Sequence, residues 1–184
     1  LTVTATSGIS KVYGAIDPAL TYTITGFVSG NEEGDLDTGV SISRASGENA
    51  QMYTVTPSGA ADSNYSVSFV TADFSITAKE LTITGLTGDN KVYDDTTDAT
   101  ASGTPVLSGV VSGDDVVLGG TPVFTFESAE LGTDIAITTT GFIITGSDND
   151  NYTLTQPTLS ADIVTILGVD DITDVKLSLK LFPN

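Results

Sequence analysis

The chain has no cysteine, no histidine and no tryptophan, and only six of its 184 residues are basic. Each gap excludes something. Without thiols there is no disulfide and no thiolate metal site. Without imidazole or thiol, the commonest general bases, covalent nucleophiles and imidazole metal ligands are missing too. A two-carboxylate glycosidase remains open on chemical grounds, but with no tryptophan and few other aromatics there is little to hold a sugar ring. The glycines, Gly119-Gly120 among them, read as turn residues, and no G-x-x-x-x-G-K-[ST] phosphate loop occurs. Catalysis is not expected, and no catalytic, metal or cofactor-binding residue is assigned.

The six cations, Lys11, Arg44, Lys79, Lys91, Lys176 and Lys180, are scattered through a chain of net charge −18. Nucleic acid and anionic membrane are bound by clustered Lys and Arg that release counterions, so neither is an expected partner. No apolar run approaches the ~20 residues of a membrane span. The chain opens at Leu1 inside a strand pattern, without initiator Met or signal peptide, and reads as a piece of something longer.

What is present is a repeat. LTVTA at Leu1 returns as LTITG at Leu81, and Lys11-Val12-Tyr13-Gly14 returns as Lys91-Val92-Tyr93-Asp94-Asp95, each displaced by 80 positions. That period means two small domains in tandem, each of roughly 80 residues. A domain of that size buries only about 60–65% of its unfolded surface, so each core is modest. Later segments echo as well: Gly26-Phe27-Val28-Ser29-Gly30-Asn31 in Gly109-Val110-Val111-Ser112-Gly113-Asp114, Asn64-Tyr65 in Asn151-Tyr152, and Ala72-Asp73-Phe74 in Ala161-Asp162-Ile163. The division is 1–79, 80–164 and a remainder, 165–184.

Apolar residues alternate with Thr and Ser over short runs, as at Leu20-Tyr22-Ile24, Met52 to Thr56, Val123 to Phe126, Ile135 to Ile137 and Phe142 to Ile144. Alternation of that kind, with turn signals every eight to twelve residues, predicts half-buried strands and an all-β fold. Strand count and turn spacing favour an Ig-like sandwich for each domain. The alternative is a β-grasp-like sheet with a short helical turn, placed in the acidic segment after each Ser-Gly-Asn/Asp. Ala78-Lys79-Glu80 is expected to be the whole junction, a short connector without Gly or Pro that leaves the domains end to end.

The tyrosines stand out. Tyr13 and Tyr93 recur in the repeated motif, and Tyr65 and Tyr152 open strands after turns. Sugar stacking in an exposed groove is one reading of them. Core packing is favoured, because burying a large side chain is worth about 1.5–3 kcal/mol. Tyr65 and Tyr152 further suit corner tyrosines whose hydroxyls bond back to the backbone. All four are assigned to the structural core.

Lys11 and Lys91 precede two of those tyrosines. An isopeptide crosslink to a buried Asp or Asn is weighed against an ion pair with nearby acids, and the ion pair is favoured. The acidic loops Asn31 to Asp37 and Asp148 to Asn151 offer hard oxygens of the kind calcium takes. Neither fits the D-x-[DN]-x-[DN]-G-x₅-E template. Solvated turns, in which Asp and Asn stabilise their own backbone, are the preferred reading, and no cofactor is assigned.

Residues 81–164, with KVYDDTTDAT, SGVVSGDDVVLGGTP and NYTLTQPTLSADI, resemble the YDG domain, although Asp95 replaces the Gly of its Tyr-Asp-Gly. Residues 1–79, with KVYG, DPALTYTITGFVSGN and SGAADSNYSVSFV, resemble the related MBG module of the Tyr-Gly type. Leu181-Phe182-Pro183-Asn184 is similar to the first strand of a type 9 secretion C-terminal sorting domain. These resemblances imply a large, secreted bacterial surface protein active in cell adhesion. They imply neighbouring repeat modules and the type 9 secretion machinery as partners, and an extracellular location at the cell surface. The expected function is a structural spacer. A glycan- or protein-binding module and a self-assembling filament subunit are the alternatives.

Overall fold

A computed structural model of the chain describes residues 1–165. The expected sorting segment lies outside the described residues, apart from Thr165. The chain forms two compact units, and they do not coincide with the two repeats. The first gathers Leu1–Thr82 with Leu107–Gly119 and Ile144–Thr155. The second is built, among the described residues, from Ile83–Val106, Gly120–Ile143 and residues 156–165. Two segments of the second repeat thus belong spatially with the first.

Strand is the regular structure throughout, as alternation predicts. The exceptions among the described residues are single 3-10 turns at Glu33–Asp35 and Asn149–Asn151. The first falls in the acidic segment after Ser29-Gly30-Asn31. The second does not follow Ser112-Gly113-Asp114 but immediately precedes Tyr152.

In the first unit the first repeat supplies seven strands, β1 (Thr2–Ala5), β2 (Ile9–Val12), β3 (Tyr22–Thr25), β4 (Ser41–Arg44), β5 (Met52–Ser58), β6 (Ser68–Val70) and β7 (Ala72–Thr77). They form two sheets, in the orders β3-β1-β6 and β2-β7-β5-β4. β1 runs antiparallel to β3 and parallel to β6, and β2 runs parallel to β7. The side chains explain why two sheets form. In β5 alternate residues, Tyr53, Val55 and Pro57, are buried while Met52, Thr54, Thr56 and Ser58 are exposed. Tyr53 and Val55 join Phe74 and Ile76 of β7 and Ala5 of β1 in one core, with Ile9, Tyr13, Leu20 and Ile42 packed around it. Phe74 and Val55 are wholly buried, worth about 1.5–3 kcal/mol each. The result is a two-sheet sandwich.

The second repeat contributes β8 (Lys79–Gly88), β9 (Lys91–Val92), β10 (Asp98–Ala99), β11 (Ala101–Ser108), β12 (Val117–Phe126), β13 (Gly132–Thr145), β14 (Tyr152–Thr155) and β15 (Leu159–Val164). One sheet has the order β11-β8-β14, with Tyr152 opposite Lys79 and Thr155 opposite Thr82 in parallel register. The other has the order β10-β12-β13-β15-β9. The core of the second unit is Phe126, Ile137, Ala161 and Ile163, flanked by Ala99, Phe124, Ile135 and Leu159.

Several details differ from the sequence reading. Lys79 and Glu80 are not a connector but the first residues of β8, which leaves Ala78 alone between strands. Ile135 to Ile137 and Phe142 to Ile144 belong to one 14-residue strand, β13. Gly119-Gly120 is not a turn but lies inside β12. A side chain at Gly120 would meet the Gly141 carbonyl oxygen at 2.1 Å, and one at Gly141 would meet that of Thr121 at 2.2 Å. Both have positive φ, 96° and 90°, so these glycines let two long strands approach where any side chain would separate them. Lastly, β7 and β15 share the burial pattern half-buried, exposed, buried, half-buried, buried, exposed. That pattern aligns Phe74 with Ala161 and Ile76 with Ile163, two residues away from the Ala-Asp-Phe/Ile echo. A shift of two keeps every side chain on its face, which is why the sequence tolerates it.

Candidate functional site

The four assigned tyrosines have three different fates. Tyr152 is 6% exposed. Tyr13 and Tyr65 are half-buried. Tyr93 is 41% exposed and touches no core, which corrects its placement there. Its hydroxyl reaches only Asp95, at 3.3 Å. The equivalent backbone is nonetheless the same: Tyr13 N–H bonds the Thr77 carbonyl at 2.8 Å, and Tyr93 N–H bonds that of Val164 at 2.9 Å. Identical local sequence builds an identical strand end, but burial depends on what arrives from elsewhere. The core tyrosine missed by sequence reading is Tyr53, 5% exposed, whose hydroxyl bonds the Asn49 carbonyl at 3.0 Å. Its place in the strict alternation of β5 was the available signal.

Tyr65 and Tyr152 make matching corners. The Tyr65 hydroxyl accepts the Val28 N–H at 3.1 Å and the Asn31 amide at 2.9 Å. The Tyr152 hydroxyl accepts the Val111 N–H at 2.9 Å and donates to the Asp114 carboxylate. Asn31 and Asp114 are echo positions, so each corner is a Val N–H, an Asx side chain three residues on, and a phenol. In the first corner the neighbouring ring is Phe27, from the same loop, edge-on at 5.9 Å. In the second it is Tyr13, from the other repeat, edge-on at 5.3 Å.

Tyr13 completes the second corner by donating its hydroxyl to Asp114 at 2.8 Å. One carboxylate oxygen, Oδ2, thus receives two phenol protons. Burial, then the Asp114 carboxylate, pushes the Tyr13 phenol up to about 12. The Tyr152 phenol is raised for the same two reasons. Beside it the Asn151 side chain, 5% exposed, accepts the Ala50 N–H at 2.8 Å. Gly14 fits against Val111 so closely that an added Cβ would meet its Cγ2 at 2.7 Å, and its φ is +77°. In the second copy the left-handed residue is Asp95, with φ 64°. This is the position where the family's motif has Gly, and Asp is among the few residues that tolerate the conformation.

The two motif lysines also diverge. The Lys11 side chain is 4% exposed and bridges Asp17, at 2.6 Å, and Glu48. Arg44 bonds the same two carboxylates, reaching Asp17 with Nε at 2.5 Å. Its guanidinium lies over the rings of Tyr53 and Phe74, 5.1 and 5.2 Å from their centroids. Hydrogen bonds from Arg44 and then Lys11 hold the Asp17 carboxyl at about 2, and the Glu48 carboxyl is lowered by Lys11 and then Arg44. Burial works against the Lys11 charge, but the bonds to Asp17 and Glu48 outweigh it and raise its pKa. A crosslink needs a neutral amine and a protonated acid, so this charge state favours the ion pair. Lys91 is a loop staple instead. It holds Asp94 at 2.7 Å, the Thr96 carbonyl and hydroxyl at 2.8 and 2.6 Å, and the Asp98 carbonyl at 3.0 Å.

Three acids of the candidate calcium loops accept backbone N–H groups, one within its own loop and two from other segments of the chain. Asp35 accepts the Glu32 N–H at 2.9 Å, Asp37 the Ser63 N–H at 2.8 Å, and Asp148 the Asp115 N–H at 2.8 Å. Among the described residues no three acidic side chains converge as a metal site would require. Nor, among them, is any helix long and apolar enough to cross a membrane.

Neither a curated protein nor a solved structure matches the chain at a significant level. Family comparison does match, and it stops short of the last segment. Residues 1–75 match the MBG domain of the YGX type and residues 77–159 match the YDG domain. The chain therefore carries an MBG domain and a YDG domain in tandem.

Proposed function

We propose that this pair of domains is a structural spacer segment of a secreted bacterial surface protein, holding a distal binding region away from the cell. The observation that supports it best is the joint at Tyr13, Asp114 and Tyr152. There the first repeat gives a phenol to a carboxylate of the second, and Ala50 gives its N–H to Asn151. Repeat arrays gain stiffness and length from such nearest-neighbour contacts. The resemblance of Leu181-Phe182-Pro183-Asn184 to a sorting-domain strand supports export by the type 9 route to the cell surface. The rival is a glycan- or protein-binding module. A glycan array, with a pull-down from surface extracts, separates the two. The spacer gives no saturable signal, whereas saturable binding lost on altering the Asn31–Asp37 loop would favour the rival.

A further inference from the structure

The two repeats carry the same pair of faces, and the structure uses only one of each. The first face follows the Lys-Val-Tyr strand. In the first repeat it is Tyr13 with Ala50, the latter from the loop before β5. In the second it is Tyr93 with Leu131, the latter from the loop before β13. The other face is the Asx–Tyr corner: Val28, Asn31, Asn64 and Tyr65 in the first repeat, Val111, Asp114, Asn151 and Tyr152 in the second.

Burial shows which faces are in use. Asn151 and Tyr152 are 5% and 6% exposed because Tyr13 and Ala50 sit against them. Their counterparts are open: Asn31 and Asn64 are exposed, Tyr65 is half-buried, and Val28 is 65% exposed. On the strand side Tyr93 is 41%, Val92 45%, Val164 42% and Leu131 51% exposed. Val92 lies on the edge strand β9 with Tyr93 just after it, Val164 on the adjacent β15, and Leu131, just before β13, lines a shallow depression with Val164. The Asp94 carboxylate, which stands where Gly14 stands in the first copy, is drawn back onto Lys91 and Thr96.

We propose that the Tyr93–Leu131 face of one chain docks on the Val28–Asn31–Asn64–Tyr65 corner of a second copy, reproducing the contact that Tyr13 and Ala50 make with the Asp114–Tyr152 corner inside the chain. The phenol of Tyr93 bonds the Asn31 side chain, as Tyr13 bonds Asp114, and Asn64 accepts the Leu131 N–H. The two faces differ, so the contact is head-to-tail, and a docked pair still offers one free face of each kind to which further copies can add. This goes beyond the spacer reading, which needs only contacts within one chain.

Sedimentation of the chain from micromolar to millimolar concentration tests it, at about 0.15 M salt so that repulsion between two acidic copies is screened beyond about 8 Å. The wild type should show mass rising with concentration. Tyr93→Ala, and separately Asn31→Ala with Asn64→Ala, should each weaken association by about tenfold or more, as loss of an interface anchor does. All three side chains are exposed or nearly so, and circular dichroism should show both variants folded. Mixing the two variants should restore a 1:1 dimer that grows no further, since each retains one working face. A wild type that stays monomeric at millimolar concentration would overturn the proposal. So would variants that associate as the wild type does, because the contact would then lie elsewhere.

Discussion

The corner at Tyr65 and the corner at Tyr152 begin from nearly the same residues and end in different states. Each has a Val N–H on a phenol oxygen and an Asx side chain beside it. Asn31 can give a hydrogen to its phenol. Asp114 can only accept, and it takes two, from Tyr152 and Tyr13. A charged acceptor roughly doubles the worth of a hydrogen bond, and the second corner is buried where the first is open. The change from amide to carboxylate therefore goes with the change from loop ornament to joint. The two lysine motifs teach the same lesson. Lys11 enters a ring of four charges with Asp17, Glu48 and an Arg44 stacked on two aromatic rings, while Lys91 ties down its own loop.

Substitutions can break this comparison, and the largest effect should come from Arg44→Ala. It removes the cation over Tyr53 and Phe74 and leaves two carboxylates to Lys11 alone. The expected loss is about 2 kcal/mol in urea denaturation, less than the ~3–5 of a fully buried pair because Glu48 faces water. Lys91→Ala should cost clearly less, and an equal loss would mean the two motifs are not different after all. Next comes Asp114→Ala, at about 1.5 kcal/mol for a half-buried acceptor serving two phenols, against about 0.5 kcal/mol for Asn31→Ala.

The pH dependence sharpens the contrast further. Asp17 has its carboxyl depressed from 3.8 to about 2 in the folded protein. Its contribution is full above pH 4 and is lost as pH falls towards 2. A thermal melt series should decline over that window, and Asp17→Asn should flatten the decline. Tyr13 is raised from 10.0 to about 12, so the stability it brings is complete below pH 10 and fades as pH rises to 12. Tyr13→Phe should reduce that alkaline loss, leaving the part that the likewise raised Tyr152 carries, and Tyr93→Phe should change it less. The smallest effect of all is expected for Tyr93→Phe at neutral pH, where the midpoint should not move. A clear drop there would restore Tyr93 to the core.

Much of this was legible in the chain. The alternation in Met52 to Thr56 predicted a strand with one buried face, and Tyr53 and Val55 are on it. Asn64-Tyr65 and Asn151-Tyr152, each opening a strand pattern after a turn, predicted corner tyrosines, and both hydroxyls do meet a backbone N–H. What was not legible follows from distance. Nothing near Lys11 in sequence announces Glu48, 37 residues away, and nothing near Tyr13 announces Asp114, 101 residues away. Sequence likeness between Tyr13 and Tyr93 suggested one fate for both, because a motif encodes its own strand and not its neighbours.

By itself the sequence determined the strand character, the repeat and the absence of thiol and imidazole chemistry. These depend on side-chain type and on periods of two, which are local properties. Only the tertiary structure decided which tyrosine is buried, which lysine is caged, and that parts of the second repeat pack with the first. Those outcomes depend on which distant groups meet, and the free energy of a buried phenol or an ion pair is set by the partner that displaces water from it.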